Sequence, residues 1–541
     1  MGLAHLPSAP RALLALSAAA AAAAPVRERV PFGFGFRFLL GEPSAPPAPS
    51  GCNASAFSGN LSRVQCLGMT GVPGATTAQA CAEAACAAQA AAWQLCARFP
   101  GDCSAPCFVG PADSCATPST HFSAGASRAP PPSPPFDPAP EAPGFDDSAW
   151  PVVDAPHDAL IATPYSQGAN NNEGSVPRNV SWYRKRFALP ADWQGSHVSV
   201  YVEGAFQETR AFVNGQTAMN HSHGYTSFAV RVDNATGVAW GGAPNVLALF
   251  VDATETTGWW YEGGGLYRDL WLVRTGLVRV QDDGVFAPTY TTGEVRAKGA
   301  APADGLVADS ATVVPHVTVE NLGGPAASVV VVFSLYASDG ATLLASSQPT
   351  PANVSGGGGS SVLVSPAPFA VASAELWSVA RPYLHTLVAS VFAADGATLL
   401  DEVNVTLGVR AMRFDAQSGF FLNEQNVRIR GFCEHNNAGG VGMAVPARIN
   451  LLRLQQLRGL GGNAWRMAHN AAEPATLALT DRLGVLVLDE NRVNSEAALL
   501  AQDTTDLADL VRRDRQHPSV FAWASTPRET QLPALSPPAT H

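Results

Sequence analysis

The spacing of hydrophobic residues changes along the chain and divides its larger part into three regions. From 144 to 275, short runs such as HVSVYVEGA and VLALFVDA alternate apolar and polar residues and are separated by Gly, Asn, Asp and Pro. This alternation predicts an antiparallel β-sandwich, with a tight hairpin at the Asn-Gly pair 214–215. Runs such as SVVVVFSLYA continue the pattern from 276 to 410, where it predicts a second, immunoglobulin-like sandwich.

The period changes again after residue 410. VRIRGF, NAWRMAH, VLVLDEN and SVFAWAS predict four short strands, and the amphipathic segments between them predict helices. Strands that alternate with helices through short connections are typical of a parallel α/β unit. Each of these strands ends in polar residues, and in a (β/α)₈ barrel such strand ends form the mouth of the active site.

The first 51 residues differ from these regions in composition. Arg11 is followed by an apolar stretch, Ala12–Ala24, that ends in small residues. This pattern predicts a secretory signal peptide over 1–25, with a low-complexity alanine run as the alternative. Residues 26–51 are predicted to form a loosely ordered lead-in. No later run of about 18 apolar residues follows, so we expect no membrane contact after the signal is removed.

Eight of the nine cysteines fall between residues 52 and 115. This density predicts a small disulfide-rich module, whose pairing the spacing leaves open. A zinc cluster is the weaker alternative because no His lies among these cysteines. The Pro-rich segment 116–143 is predicted to be a linker, and the ninth cysteine, Cys433, a buried free thiol. The eight cysteines are Cys52, Cys66, Cys81, Cys86, Cys96, Cys103, Cys107 and Cys115.

Glycosylation signals and charge narrow the setting. Seven Asn-x-Ser/Thr sites favour a glycoprotein that is secreted or held in the endomembrane lumen. The net charge of −11, without a basic run, argues against nucleic acid as a partner. The predicted glycosylation sites are Asn53, Asn60, Asn179, Asn220, Asn234, Asn353 and Asn404.

Several longer motifs occur in a fixed order. They include FDDSAWPVVDAPHD, VEGAFQETRAFVNGQ, WWYEGGGLYRDLWLV, GFFLNEQNVRIRGFCEHNN, GGNAWRMAHN, DRLGVLVLDEN and RDRQHPSVFAW. Together they resemble family 2 glycoside hydrolases, the group of β-galactosidases, β-glucuronidases and β-mannosidases, from about residue 144 to Trp523. The resemblance implies a multidomain β plus α/β fold. Its parts are a jelly-roll β-sandwich over 144–275, an immunoglobulin-like β-sandwich over 276–410 and the first half of a TIM barrel over 411–525.

The resemblance also implies chemistry. It points to hydrolysis of β-linked O-glycosides, most of all β-galactosides, by a retaining mechanism with two carboxylates. We nominate no cofactor and no metal ligand, and the metal requirement stays open. The sugar-contacting positions that it implies are His435, Asn436, Arg466, His469, Glu490 and Asp252. For these side chains a structural hydrogen-bonding role is the alternative interpretation.

The catalytic carboxylates are harder to place. The family's acid/base Glu is expected shortly after Trp523, where this chain has Arg528, and Glu529 one residue later is a weak candidate. An Arg cannot donate a proton near neutral pH. The nucleophile is expected on a later strand, so the chain is predicted to be incomplete and inactive as written, with a disordered tail over 526–541. A non-catalytic, secreted carbohydrate- or protein-binding protein is the alternative, and the oligomeric state stays open.

Overall fold

The computed structural model describes residues 27–41, 139–255, 260–492 and 500–525, together with the backbone of five strands between residues 61 and 126. The chain divides into two units, Met1–Gly41 with Asp146–His541, and Glu42–Phe145. Several predictions lie outside the described residues. These are the signal peptide 1–25, the tail 526–541 with Glu529, the side chains of the eight clustered cysteines, and Asn53 and Asn60.

The larger unit begins with two strands, β1 (Glu28–Pro31) and β2 (Phe36–Leu40). The smaller unit is inserted after them in the sequence. Its five strands form one antiparallel sheet in the order β3-β7-β5-β6-β4. They are β3 (Leu61–Gln65), β4 (Thr70–Val72), β5 (Ala92–Cys96), β6 (Cys107–Gly110) and β7 (Thr117–Ala126). The predicted linker 116–143 was therefore placed too early, because β7 pairs with both β3 and β5.

The first sandwich is completed after the insertion. Its further strands are β8 (Val152–Val153), β9 (Val180–Ala188), β10 (His197–Val202), β11 (Glu208–Val213), β12 (Gln216–His221), β13 (Phe228–Arg231), β14 (Pro244–Asp252) and β15 (Leu270–Thr275). One sheet has the order β1-β15-β10-β13 and the other the order β12-β11-β14-β9-β2-β8. The predicted alternation is observed, since Val198, Val200 and Val202 of β10 are all fully buried between the sheets.

The prediction of a loosely ordered lead-in over 26–51 is wrong for its first part. β1 pairs with β15, and β2 pairs with β9. Phe36 is fully buried in the sandwich core, whereas Phe34, which belongs to no strand, is 61% exposed. The pairing partners of these strands lie more than 100 residues further along the chain, so the pairing itself cannot be recognised from the local sequence.

The second sandwich follows the prediction. Its strands are β16 (Val278–Phe286), β17 (Thr289–Ala297), β18 (Leu306–Val313), β19 (His316–Asn321), β20 (Ala327–Tyr336), β21 (Leu343–Ser346), β22 (Thr350–Val354), β23 (Ser360–Val364), β24 (Phe369–Leu376), β25 (His385–Ala393) and β26 (Leu399–Leu407). They form the sheets β16-β19-β23, β17-β18-β24 and β21-β20-β25-β26, with β22 beside β20. Val331, Phe333 and Leu335 of β20 alternate into one core.

The third region opens with a small sheet of β27 (Met412–Asp415), β28 (Gly419–Leu422) and β29 (Gln425–Asn426). Four parallel strands follow in the order of the sequence: β30 (Gly431–Glu434), β31 (Ala464–Met467), β32 (Leu486–Asn491) and β33 (Val520–Ser525). The helices between them are α1 (Ala447–Gly459), α2 (Pro474–Leu483) and α3 (Leu500–Asp514). Within the described residues, no helix is long and apolar enough to cross a bilayer.

The helices and strands of this region share one core. Trp465 and Met467 of β31 pack with Leu454 and Leu457 of α1 and Leu477 of α2. Ala464 and Arg466, which alternate with these two residues along the strand, therefore lie on the opposite face of the sheet. Because the four strands run parallel, their carboxyl ends lie at one edge of the sheet, as the prediction of a barrel-like mouth requires.

Candidate active site

The carboxyl ends of β30, β31 and β32 bring two of the predicted histidines together. The rings of His435 and His469 have centroids 5.6 Å apart. His435 Nδ1 donates to the carbonyl oxygen of Ala468 at 2.7 Å, which places the ring proton on Nδ1. Both imidazoles are only partly buried. His435 and His469 therefore lie side by side at the ends of adjacent strands, and their role as sugar contacts stays a prediction.

Glu490 holds the second histidine in place. Its Oε1 lies 3.0 Å from His469 Nδ1, and its Oε2 lies 2.7 Å from Nη2 of Arg466. Glu490 is fully buried, whereas the Arg466 side chain is 34% exposed. Desolvation acts against the charge of Arg466, but its contacts with Cys433 and Glu490 outweigh it and raise the Arg466 pKa. Glu490 therefore orients the two neighbouring groups and has no direct exposure to solvent.

The first sandwich contributes Trp260 to the site. Its indole stacks on His435 at 5.0 Å with an interplanar angle of 16° and lies 5.3 Å from the ring of His469. The guanidinium of Arg492 lies 4.7 Å from the centroid of the same indole. The motif WWYEGGGLYRDLWLV contains Trp260, but the sequence analysis did not nominate it as a site residue.

A buried cluster holds Arg492 in place, and it includes Glu262 from the loop that carries Trp260. Its Nε donates to Glu262 Oε1 at 3.0 Å, and the hydroxyl of Tyr225 donates to the same oxygen at 2.8 Å. Glu262 and Tyr225 both belong to the first sandwich, whereas Arg492 directly follows β32. The cluster therefore ties the sandwich to the mouth of the barrel region.

Asp158, which the sequence analysis did not nominate, anchors a loop near the site. It accepts hydrogen bonds from the backbone N–H of Leu160 at 2.9 Å, the N–H of Met443 at 2.8 Å and the Tyr261 hydroxyl at 3.0 Å. Burial raises its pKa despite these bonds. A Cβ at position 442 would overlap the Asp158 carboxylate. The loop can therefore approach Asp158 this closely only because residue 442 is glycine.

Two of the nominated residues, Asn436 and Asp252, make contacts of their own. Asn436 lines a small cavity with Glu434 and Glu473. Asp252 ends β14, where its Oδ1 accepts from the N–H and the hydroxyl of Thr254 at 2.9 and 2.6 Å. The next residue after Asn436, Asn437, instead contacts the loop that carries Trp260: its Nδ2 donates to the Tyr261 carbonyl at 3.1 Å.

The prediction that Cys433 is buried is wrong. Cys433 is a free thiol and is exposed. It pairs in register with Arg466, and Arg466 Nη1 lies 3.7 Å from its sulfur. Both side chains therefore lie on the face of the sheet opposite the helices, where the described residues do not cover them.

The described acidic residues near the site make structural contacts. Asp489 is fully buried and accepts from the N–H of Ala472 at 3.0 Å. Burial and repulsion from Asp514 raise its pKa well above the ordinary value. Among the described residues, Glu490 is the carboxylate that contacts the histidine pair, and it is bonded to Arg466. The described residues of this site therefore present two imidazoles, a guanidinium and an indole.

The chain matches a known class of protein in sequence and in fold. Residues 303–410 match the family model "Glycosyl hydrolases family 2", and residues 415–531 match "Glycosyl hydrolases family 2, TIM barrel domain". The chain therefore carries two domains of glycosyl hydrolase family 2. This confirms the resemblance that the sequence motifs indicated.

Individual relatives agree with this assignment. The β-galactosidase BoGH2A of Bacteroides ovatus is 32% identical over 394 residues, which are 71% of this chain and 44% of that protein. A β-glucuronidase of Formosa agariphila is 24% identical over 70% of this chain and 39% of its own length. A family 2 glycosyl hydrolase from Bacteroides cellulosilyticus has a similar structure, with a TM-score of 0.63 and 27% identity over 71% of this chain and 49% of that one. This chain thus spans less than half of the length of these relatives.

Proposed function

We propose that the protein binds β-linked sugars at the cluster of Trp260, His435, Arg466 and His469, and that it serves in their hydrolysis. The observation that carries the proposal is the pair of imidazoles at adjacent parallel strand ends, stacked on an indole and flanked by an arginine. Polar groups that converge at such strand ends are the usual way in which barrel enzymes hold a substrate.

The hydrogen-bonding state of the cluster suits sugar hydroxyls. Because His435 donates from Nδ1 to a carbonyl, its neutral ring has an acceptor at Nε2. A sugar hydroxyl can donate to that nitrogen. Arg466 keeps part of its guanidinium exposed and can donate to a second sugar oxygen.

Hydrolysis with retention requires two carboxylates about 5–5.5 Å apart, one of which acts as acid and then base. Glu490 is buried and bonded on both oxygens, so we assign it a positioning role. We propose β-galactosides as the substrate class because the β-galactosidase relative shares 32% identity, against 24% for the β-glucuronidase.

The test uses the full chain as purified from a secreting host. Release of 4-nitrophenol from the aryl β-galactoside and β-glucuronide reports hydrolysis, and calorimetry with galactose and glucuronate reports binding. We expect galactose to bind and His435→Gln to weaken the binding by at least about tenfold. His316→Gln, in the second sandwich, is the matched control and should leave affinity unchanged. Absence of binding to either sugar would refute the proposal.

A second function is favoured by one observation. The carboxylate that contacts the histidine pair is locked to Arg466, as expected for a site that binds without cutting. The protein would then be a carbohydrate-binding member of the family. Tight galactose binding with no release of 4-nitrophenol supports this function, and release that His435→Gln abolishes supports the enzyme.

We also propose that the protein passes through the secretory pathway. Asn220, Asn234, Asn353 and Asn404 are exposed, and Asn179 is partly buried with its Oδ1 accepting from the Val180 N–H. The four exposed sites are therefore open to an oligosaccharide. Treatment with an endoglycosidase that removes N-glycans should lower the apparent mass of the secreted protein, and an unchanged mass would count against glycosylation.

A further inference from the structure

A small cavity lies beside the histidine pair, between the end of β30 and the start of α2. Its volume is about 10 Å³, enough for one water-sized particle. Five of the side chains that line it carry oxygen: Glu434, Asn436, Asn470, Glu473 and Thr476. It is separate from the sugar cluster and does not depend on the proposed function.

The cavity wall is rich in acceptor oxygen and poor in positive charge. The Glu473 carboxylate accepts through its Oε2, from Asn450 Nδ2 at 3.0 Å and from Thr476 Oγ1 at 3.3 Å. Arg453 binds Oε1 of Glu434 and does not line the cavity. Two carboxylates therefore meet at one cavity; Arg453 is bonded to Glu434, and the positive charge of Arg268 acts on Glu473. Burial is the main factor that raises the pKa of each acid to about 7.

Asn470 supplies the second, independent observation. It is 3% exposed, and its Nδ2 donates to the Ala471 carbonyl at 3.1 Å. Its Oδ1 is buried and has no hydrogen-bond partner. An unbonded buried acceptor costs about 1–3 kcal/mol, so a native structure normally provides a partner for it.

We propose that this cavity binds one hard divalent cation of the Ca²⁺ class, held by carboxylate oxygens of Glu434 and Glu473 and the amide oxygen of Asn470. Carboxylate, amide and hydroxyl oxygens are the ligands that Ca²⁺ takes, and its flexible geometry suits a donor set of mixed type. Asn436 and Thr476 line the same cavity and complete the oxygen-rich wall.

The cation would order the site next to it. Glu434 and Asn436 flank His435 in the sequence, and Asn470 directly follows His469. One bound ion therefore ties the segment that carries the first imidazole to the loop that carries the second. Asn436, which the sequence analysis nominated as a sugar contact, thereby gains a different role, on the far side of the strand end.

The test is calorimetry of the full chain after removal of metals with a chelator. We expect one Ca²⁺ per chain with a Kd at or below about 1 mM, and a Ca²⁺-dependent rise in Tm. Glu473→Gln and Asn470→Ala should each weaken binding at least tenfold, and Asn470→Asp should strengthen it by adding a carboxylate. Glu294→Gln, an exposed acid in the second sandwich, is the matched control.

The outcomes separate the possibilities. Ca²⁺ is added to ten times about 1 mM, the highest Kd that we expect. If it then gives neither heat of binding nor a shift in Tm, the cavity holds water and the proposal is overturned. Binding that both Glu473→Gln and Asn470→Ala leave intact would place the ion elsewhere and would also overturn it. Stabilisation by Na⁺ alone would contradict a divalent ion. If Glu473→Gln does not fold, the pair Asn470→Ala and Asn470→Asp decides.

Discussion

At the level of single residues, position at a strand end proved a better guide than residue type. His435, Arg466, His469 and Glu490 were nominated from the family resemblance at the ends of predicted strands, and the structure brings them together. Trp260 could not be nominated, because its contact with His435 joins residues 175 positions apart and nothing in its loop sets its direction. Asn436 lines a small cavity with Glu434 and Glu473, and its role as a sugar contact stays a prediction.

The glycine-rich loop after Trp260 permits a sharp prediction at this scale. Gly265 has φ +89°, and a Cβ there would overlap the hydroxyl of Tyr183 and crowd Ala159. Gly237 has φ +74° and nothing within 4 Å of a Cβ. Gly237→Ala should therefore cost about 1 kcal/mol from backbone strain alone. Gly265→Ala should cost about 2–3 kcal/mol more through overpacking. Urea unfolding measures both, and equal losses would contradict the steric argument.

His385 makes stability depend on pH. It is 2% exposed, and burial lowers its pKa to about 4. The unfolded chain, with an ordinary His pKa of about 6.5, binds more protons than the folded protein between pH 4 and 6.5, so stability falls as the pH falls through this window. At pH 5 the loss is about 2 kcal/mol.

The measurement is chemical unfolding at pH 7 and pH 5. His385→Gln should lose less stability on acidification than the wild type, because the substituted side chain does not titrate. His316→Gln changes a partly exposed histidine of the same sandwich and should keep the wild-type slope. An unchanged slope in His385→Gln would show that other groups control acid stability.

At the level of elements, periodic segments were predicted well and long-range pairings were not. The Asn-Gly hairpin is present, with φ +49° at Asn214 and +83° at Gly215, and three helices separate the four parallel strands as predicted. β1 and β2 were missed because they are short and their partners, β15 and β9, lie far along the chain. The sequence did contain a weak signal for β2, namely the alternation of Phe36 and Phe38.

The membership of β2 in the sandwich is testable with two matched substitutions. Phe36 is fully buried, with its ring 6.2 Å from that of Tyr183, whereas Phe34 is 61% exposed. Phe36→Ala should lower the free energy of unfolding by about 3–5 kcal/mol. Phe34→Ala should change it by no more than about 0.5 kcal/mol. Denaturant titration compares the two variants. If both effects are equally small, β2 does not belong to the folded core and the prediction of a loosely ordered lead-in holds.

At the level of the whole molecule, buried contacts join the second sandwich to the barrel region. Trp377 is fully buried; its Nε1 donates to the Asp481 carbonyl at 2.8 Å, and its own carbonyl accepts from Asn423 Nδ2 at 2.9 Å. The first sandwich contributes Arg268, which donates to the Ala471 carbonyl at 2.8 Å. Such contacts between regions couple their stabilities. The sequence could not show them, because both partners are ordinary core residues of their own regions.

This coupling predicts cooperative unfolding. The second sandwich and the barrel region should melt in one calorimetric transition, and Trp377→Ala should lower the stability of that transition by about 3–5 kcal/mol. Trp523→Ala, at a side chain that is 39% exposed, is the control and should have a much smaller effect. Two well-separated transitions in the wild type would show that the regions are independent.

The insertion between β2 and β8 has a consequence for synthesis on the ribosome. β2 leaves the exit tunnel some 140 residues before its partner β9, since Leu40 pairs with Ser181. At about 5–20 residues per second, β2 waits for roughly 7–30 s with an open strand edge and exposed phenylalanines. The smaller unit emerges during this interval and can fold before the sandwich closes. Translation speed across residues 42–145 should therefore govern the yield of folded protein, and chaperones that shield strand edges should act on this chain early.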